Sequence, residues 1–347
     1  MSSAILATAS YSKAMARRVL SPAAGPTAPW RYRRADTGYG ASAEPNWRAI
    51  DWLERRRTVE VDGTPVNYVD LGPADESTGE PVVFVHGLGG QWQNWLENIP
   101  RVARERRVVA LDLPGFGLTP APHDGITITG YGRCVNSFCE KLGLGRVALV
   151  GNSMGGYIAA EVAIQFPQRV SRLVLVSAAG ISSADTLQAP ILTAGRVASA
   201  VTTHGAARHR AFASRPVSRH LSLAMVARYP RLLKPDLAYE AFFKGVGKPG
   251  FADALRASLD YDFRDRLPDV SVPTLIVWGE KDAIIPVRDA NEFERLISDS
   301  RKVVMRDTGH VPMAERPAAF NDVLLGFLAE TGAAEDKEEV EGESQVA

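Results

Sequence analysis

Three side chains that together can perform acyl transfer stand far apart in this chain, in the order Ser, Asp, His. Ser153 lies in Gly151-Asn152-Ser153-Met154-Gly155-Gly156, directly after the apolar run Val147–Val150 and before a helical pattern that begins at Tyr157. In a strand–turn–helix setting, G-x-S-x-G lifts a serine hydroxyl out of the top of a sheet. The glycines answer a steric need, because the turn strains the nucleophile's backbone and a side chain at Gly151 or Gly155 would collide with the adjoining strand and helix. A serine needs a base, and the base needs an acid to orient it. Asp282 follows the run Thr274–Trp278 through Gly279-Glu280-Lys281, and His310 stands in Asp307-Thr308-Gly309-His310-Val311-Pro312, just past Lys302–Met305. All three fall at the C-terminal ends of expected strands, the edge where open α/β sheets place their sites. We therefore expect Ser153 as nucleophile, His310 as base and Asp282 as orienting acid, with Asp185 as an alternative acid.

The same edge should carry donors for the negative charge that develops on a carbonyl oxygen. His86-Gly87-Leu88-Gly89-Gly90 is a flexible turn after the run Val82–Val85. The backbone N–H of Leu88 is expected to pair with that of Met154, at the positive end of the following helix, as an oxyanion hole. His86 itself is read as structural. Trp92 and Trp95, just beyond this turn, are expected to line a substrate pocket.

Positioning these groups requires a particular scaffold. Thr58–Val61 and Thr64–Asp70 flank Asp62-Gly63, a strong hairpin signal, so the fold should start antiparallel. Short runs rich in Val, Ile and Leu follow at Val82–Val85, Arg107–Leu111, Val147–Val150, Leu173–Ser177, Thr274–Trp278 and Lys302–Met305. Such runs suit strands buried on both faces. Most intervals fit one helix, as at Tyr131–Leu142 and Tyr157–Phe166. The alternation predicts an α/β fold, a mostly parallel twisted sheet flanked by helices. From 181 to 271 there is no strand signal, only helix-like pieces broken at Pro190, Pro216, Pro230, Pro235 and Pro249. That stretch is too long for a structureless loop and reads as an inserted helical cap between core segments 46–180 and 272–332.

Composition narrows the function classes. The chain has 347 residues and equal numbers, 40 each, of basic and acidic residues, so nothing global argues for nucleic acid as a partner. No apolar stretch is long enough for a membrane span. Cys134 and Cys139 lack any metal-ligand spacing and read as free thiols. Residues 1–45 are expected to be a flexible basic tail, since positions 1–35 hold Lys13, Arg17, Arg18, Arg31, Arg33 and Arg34 and no acid. Residues 333–347 are expected to be an acidic disordered tail. The expected compartment is cytoplasmic, with an organellar address in the acid-free N-terminus as the alternative and peripheral membrane contact by that tail as a further option.

Taken jointly, His86-Gly87-Leu88-Gly89, Asp112-Leu113-Pro114-Gly115-Phe116-Gly117, Gly151-Asn152-Ser153-Met154-Gly155-Gly156, Trp278-Gly279-Glu280-Lys281-Asp282 and Gly309-His310 resemble the α/β-hydrolase superfamily, in its capped single-domain form, over residues 58–330. The resemblance implies the roles given above for Ser153, His310, Asp282, Leu88 and Met154, a structural turn at Asp112, and no metal or organic cofactor. It implies a serine hydrolase of small or medium acyl esters acting on a small, apolar substrate. Dehalogenases and epoxide hydrolases of the superfamily carry Asp as nucleophile, which Ser153 excludes. The elbow is also similar to that of meta-cleavage product hydrolases, which cleave carbon–carbon bonds in vinylogous diketones; those usually have Trp after the histidine, where this chain has Val311. A non-turnover ligand receptor on the same scaffold is the remaining alternative.

Overall fold

Segments apolar at nearly every position need cover on both faces, and the central strands find it inside one eight-stranded sheet whose two edge strands are largely exposed. A computed structural model of the chain describes residues 37–73, 79–182, 210–244 and 248–330. Its strands are β1 (Arg56–Val61), β2 (Thr64–Leu71), β3 (Val82–Val85), β4 (Val108–Leu111), β5 (Val147–Asn152), β6 (Val170–Val176), β7 (Thr274–Gly279) and β8 (Ser300–Met305). Their order is β1-β2-β4-β3-β5-β6-β7-β8. The β1–β2 and β2–β4 pairs are antiparallel and the rest parallel, as expected from the hairpin at the start. Asp62 and Gly63 both take positive φ, 49° and 79°, the backbone that a tight hairpin with the sheet's twist demands.

Side chains alternate across the pleat, so each central strand feeds two cores. Val83, Val85, Val109, Leu111 and Leu149 pack with helices α1 (Ile128–Lys141) and α2 (Met154–Gln165). Val82, Phe84, Ala110, Val150 and Val277 pack with Trp95, Phe320 and Leu324, the last two from helix α6 (Pro317–Leu328). Helix α1 starts at the Thr127 cap, whose hydroxyl accepts from Gly130 N–H at 2.9 Å. Cys134 and Cys139 are free, and burial pushes both thiols up to about 12, which makes them inert at neutral pH.

Between β6 and β7 the described part of the insertion is built of short helices joined by turns and irregular segments. It contains α3 (Pro216–Leu223), α4 (Phe251–Asp260), several shorter turns and no strand. Pro216, Pro230 and Pro235 each open a helical turn, where the missing N–H costs nothing, so these prolines start elements and do not break them. Helix α5 (Arg288–Leu296) then connects β7 to β8. Pro190 and Asp185 lie outside the described residues, as do 1–36 and 331–347, where most of the expected basic tail and acidic tail fall.

The expected tail boundary at residue 45 is too late. Tyr39, Ala43 and Trp47 are buried, and Gly40 N–H donates to Glu315 O at 2.7 Å. The charge bias of residues 1–35 hid an aromatic segment that has its own polar partners in the core. Among the described residues no helix is long and apolar enough to cross a membrane.

Candidate active site

Serine is a favoured helix N-cap, yet the hydroxyl of Ser153, which holds that position on α2, makes no cap bond. Its backbone, at φ 57° and ψ −119°, turns the side chain away from the helix amides. That conformation is costly for a non-glycine residue and persists only where neighbours over-determine it. They do so here: Ser153 N–H donates to Val176 O at 2.9 Å, while its carbonyl accepts from Tyr157 at 3.1 Å and Ala179 at 3.0 Å. The glycines behave as the sequence implies. A Cβ on Gly155 would stand 2.3 Å from Val85 O and 2.5 Å from His86 O, and one on Gly151 would stand 2.1 Å from Gly155 O.

His310 and Asp282, 28 residues apart, meet across the loops that follow β8 and β7, with His310 Nδ1 2.8 Å from Asp282 Oδ2. The other carboxylate oxygen accepts from Ile284 N–H at 2.8 Å and Ile285 N–H at 3.0 Å. Both side chains are out of solvent, at 6% and 0% exposure, so the ring's orientation is set by this contact and not by water. A carboxylate can only accept, so Nδ1 carries the proton and Nε2 keeps a lone pair. Asn152, immediately before Ser153, donates through Nδ2 to His310 O at 3.3 Å and to Val176 O at 3.0 Å, tying the elbow to the histidine's loop.

The turn after β3 faces the elbow. A Cβ on Gly87 would lie 3.1 Å from Ser153 Cβ, and Gly89, at φ +72°, sits against the ring of Phe251, the first residue of α4. Neither Leu88 N–H nor Met154 N–H has an acceptor among the described residues. Met154 opens α2, so its N–H lies at the positive end of that helix. His86 is a structural ring: Nδ1–H donates to Gly87 O at 2.8 Å, Nε2 accepts from Leu113 N–H at 3.0 Å, and complete burial holds its pKa at about 4. Asp112 accepts from Trp92 N–H, Leu118 N–H and Asn67, knitting its turn together; burial raises its pKa despite these donors.

The two tryptophans expected to line a substrate pocket have different surroundings. Trp95 is fully buried, stacked on Phe84 at 4.6 Å and tilted against Phe320 at 6.3 Å, because the helical turn after the glycines aims it down into the sheet. Trp92 borders a cavity of about 650 Å³ with Trp47, Trp52, Leu118 and Lys244, a cavity that Ser153, Asp282 and His310 do not line. Sequence reasoning also missed Glu315. This completely buried carboxylate is bound by Gly309 N–H at 2.9 Å and Val311 N–H at 3.3 Å, the amides on either side of His310. Burial raises its pKa above the usual carboxylate value, and the donors around it only moderate that rise. The only sequence signal was an acid five positions after the histidine, which reads equally well as a surface residue. Among the described residues no group of three or more His, Cys, Asp or Glu could hold a metal ion.

Known proteins share this arrangement of sheet and loops. A family model described as the alpha/beta hydrolase fold matches residues 80–317. The 2-hydroxy-6-oxo-2,4-heptadienoate hydrolase of Pseudomonas putida is 35% identical over 79% of this chain and 96% of its own length. A 2-hydroxy-6-oxo-6-(2'-aminophenyl)hexa-2,4-dienoic acid hydrolase of Metapseudomonas resinovorans is 31% identical over 79% and 90%. Among solved structures, a thermophilic esterase from Thermogutta terrifontis superposes with a TM-score of 0.63 at 26% identity, covering 79% of this chain and 97% of that one. With the strand order, the glycine-walled turn after β5 and a family match across both core segments in agreement, the chain belongs to the α/β-hydrolase family of enzymes.

Proposed function

We propose that this protein is a serine hydrolase that cleaves small or medium acyl esters through a covalent acyl-enzyme, with Ser153 as nucleophile, His310 as base and Asp282 as orienting acid. The observation that carries the reading is the 2.8 Å contact between His310 Nδ1 and a fully buried Asp282 carboxylate, on a loop tied to the strained serine by Asn152. Ser153 Oγ attacks the carbonyl carbon as Nε2 takes its proton, and the carboxylate stabilises the imidazolium so formed. The N–H groups of Leu88 and Met154 receive the oxyanion, each contributing about 3–4 kcal/mol to the transition state. Collapse expels the alkoxide, which takes the proton from Nε2. Water then repeats the sequence on the acyl-enzyme and releases the acid.

A second reading has its own support. Relatives at 35% and 31% identity are named as hydrolases of dienoates with a 6-oxo group. Here the serine would attack a ketone and the expelled group would be a carbon, leaving as a delocalised enolate that takes the proton. Val311, in the position after the histidine where such enzymes usually carry Trp, favours the ester.

The test compares p-nitrophenyl esters from acetate to laurate with a vinylogous diketone, in wild type and Ser153→Ala, with fluorophosphonate labelling of both. Ester turnover and labelling that vanish together in the variant support the first reading, and diketone turnover without ester turnover supports the second. Turnover that survives Ser153→Ala refutes both.

A further inference from the structure

Behind the loop that carries His310, four donors converge on one carboxylate. Gly309 N–H lies 2.9 and 3.0 Å from the two oxygens of Glu315, Val311 N–H 3.3 Å from Oε1, Arg228 N–H 2.7 Å from Oε2, and the Tyr39 hydroxyl 2.5 Å from Oε2. Gly309 can approach because it has no Cβ; one built there would stand 2.8 Å from Oε1 and 2.7 Å from Arg228 N. The Tyr39 oxygen in turn accepts from Tyr229 N–H at 2.7 Å, and His310 N–H donates to Val226 O at 2.8 Å. Farther along the same N-terminal segment, Ala43 N–H and Trp47 Nε1–H donate to buried Glu97 at 2.8 and 2.9 Å, and Arg48 grips Asp236 of the insertion. Residues 39–48 thus form a strap that binds the insertion and the histidine's loop to the core through two buried glutamates. Apart from His310 itself, none of these groups takes part in the acyl-transfer steps.

We propose that Glu315 and Tyr39 are positioning residues for the base: the carboxylate fixes the backbone N–H groups of the residues before and after His310, and the tyrosine hydroxyl couples that carboxylate to the insertion. The inference rests on His310 acting as the base. A carboxylate is required because an amide at 315 would turn its NH₂ toward donors in either orientation, against Gly309 and Val311 or against Tyr39 and Arg228. The other charged groups around the base are Asp282 at its ring, Asp289 near Asp282, Arg228 paired with Asp307 at 2.9 Å, and Arg316 above the Tyr39 ring.

Tyr39→Phe removes one hydroxyl and keeps the edge-on contact with Tyr229, at 5.1 Å, and the Arg316 contact, so this variant is expected to fold. Its kcat should fall about tenfold with KM within about twofold, because small misplacements of a reacting group are costly. Glu315→Gln should lower kcat on the order of 100-fold. It should also move the acid limb of kcat/KM down by about half a unit, since a negative charge that favours the imidazolium is lost. The same downward shift should appear without any turnover, in the NMR titration of the His310 ring in a Ser153→Ala background. A wild-type kcat in Tyr39→Phe, or an unmoved His310 titration in Glu315→Gln, overturns the proposal; should Glu315→Gln not fold, Tyr39→Phe alone decides. Turnover that survives Ser153→Ala would instead overturn the underlying reading of the site, an outcome separate from either of these.

Discussion

Replacing Asp282 by asparagine forces a choice between two hydrogen-bond patterns, and the geometry decides it. In the native protein Oδ1 accepts from Ile284 and Ile285 N–H at 2.8 and 3.0 Å while Oδ2 faces His310 Nδ1 at 2.8 Å. Asparagine has one oxygen to share. With that oxygen toward the histidine, NH₂ would press on two backbone N–H groups beside a side chain that is 0% exposed, and each orphaned donor costs about 1–3 kcal/mol. With the oxygen toward the amides, only the histidine contact changes, and the ring can answer by moving its proton to Nε2. The second pattern is thus favoured by about 2 kcal/mol or more. It leaves no lone pair on Nε2 to take the proton of Ser153. The expected loss in kcat is on the order of 10⁴-fold, or about 5 kcal/mol of barrier, with KM little changed. Steady-state kinetics on a p-nitrophenyl ester, fluorophosphonate labelling rates and urea unfolding of both proteins make the measurement. A variant whose kcat stays within tenfold of wild type at equal stability would refute the assignment of Asp282 and the tautomer argument with it.

Other perturbations probe separate parts of the scaffold. Gly155→Ala places a methyl 2.3 Å from Val85 O, a backbone atom that cannot step aside, and should cost about 3 kcal/mol or more and abolish labelling, whereas Gly145→Ala, with nothing within 4 Å, should stay within about 0.5 kcal/mol in the same urea melts. His86 is held neutral with a folded pKa of about 4, so its unfolded form takes up a proton first as pH falls below about 6.5; its contribution to stability is full above that pH and declines by about 3 kcal/mol on the way down to pH 4. His86→Gln should therefore show a flatter loss of stability than wild type across that window, and parallel curves would contradict the burial argument. Trp95→Ala should lose about 3–5 kcal/mol of stability with KM unchanged, because the ring fills core against Phe84; a large KM change would restore it to the substrate pocket.

Much of this scaffold was legible in advance because its signals are local. Val82–Val85 is a strand of the stated length, and the other strands differ by a few residues at their ends, where hydrogen bonding and not composition sets the limit. The strained serine could be read from Gly151 and Gly155, since a missing side chain announces a close approach. Trp92 and Trp95 could not be placed, because a tryptophan beside a functional turn has the same composition whether it lines a pocket or fills a core. Tyr39 and Trp47 were hidden for a related reason: the charge imbalance that marks a tail ends shortly before residues that pack.

The sequence by itself determined the alternation of strands and helices, the hairpin at Asp62-Gly63, the sharp turn at Ser153 and the chain order of Ser153, Asp282 and His310 at the ends of strands. These follow from period, propensity and sterics within a few neighbouring residues. Only the tertiary structure decided that Asp282 meets His310, that Asn152 and Val226 hold the histidine's loop, and that Glu315 and Tyr39 stand behind it. Those contacts join positions up to 276 residues apart, and their partners are chosen by how the two packed faces of the sheet bring loop ends together. A buried carboxylate carries no mark in the chain that tells it from an exposed one; burial and the donors around it exist only once the fold has closed.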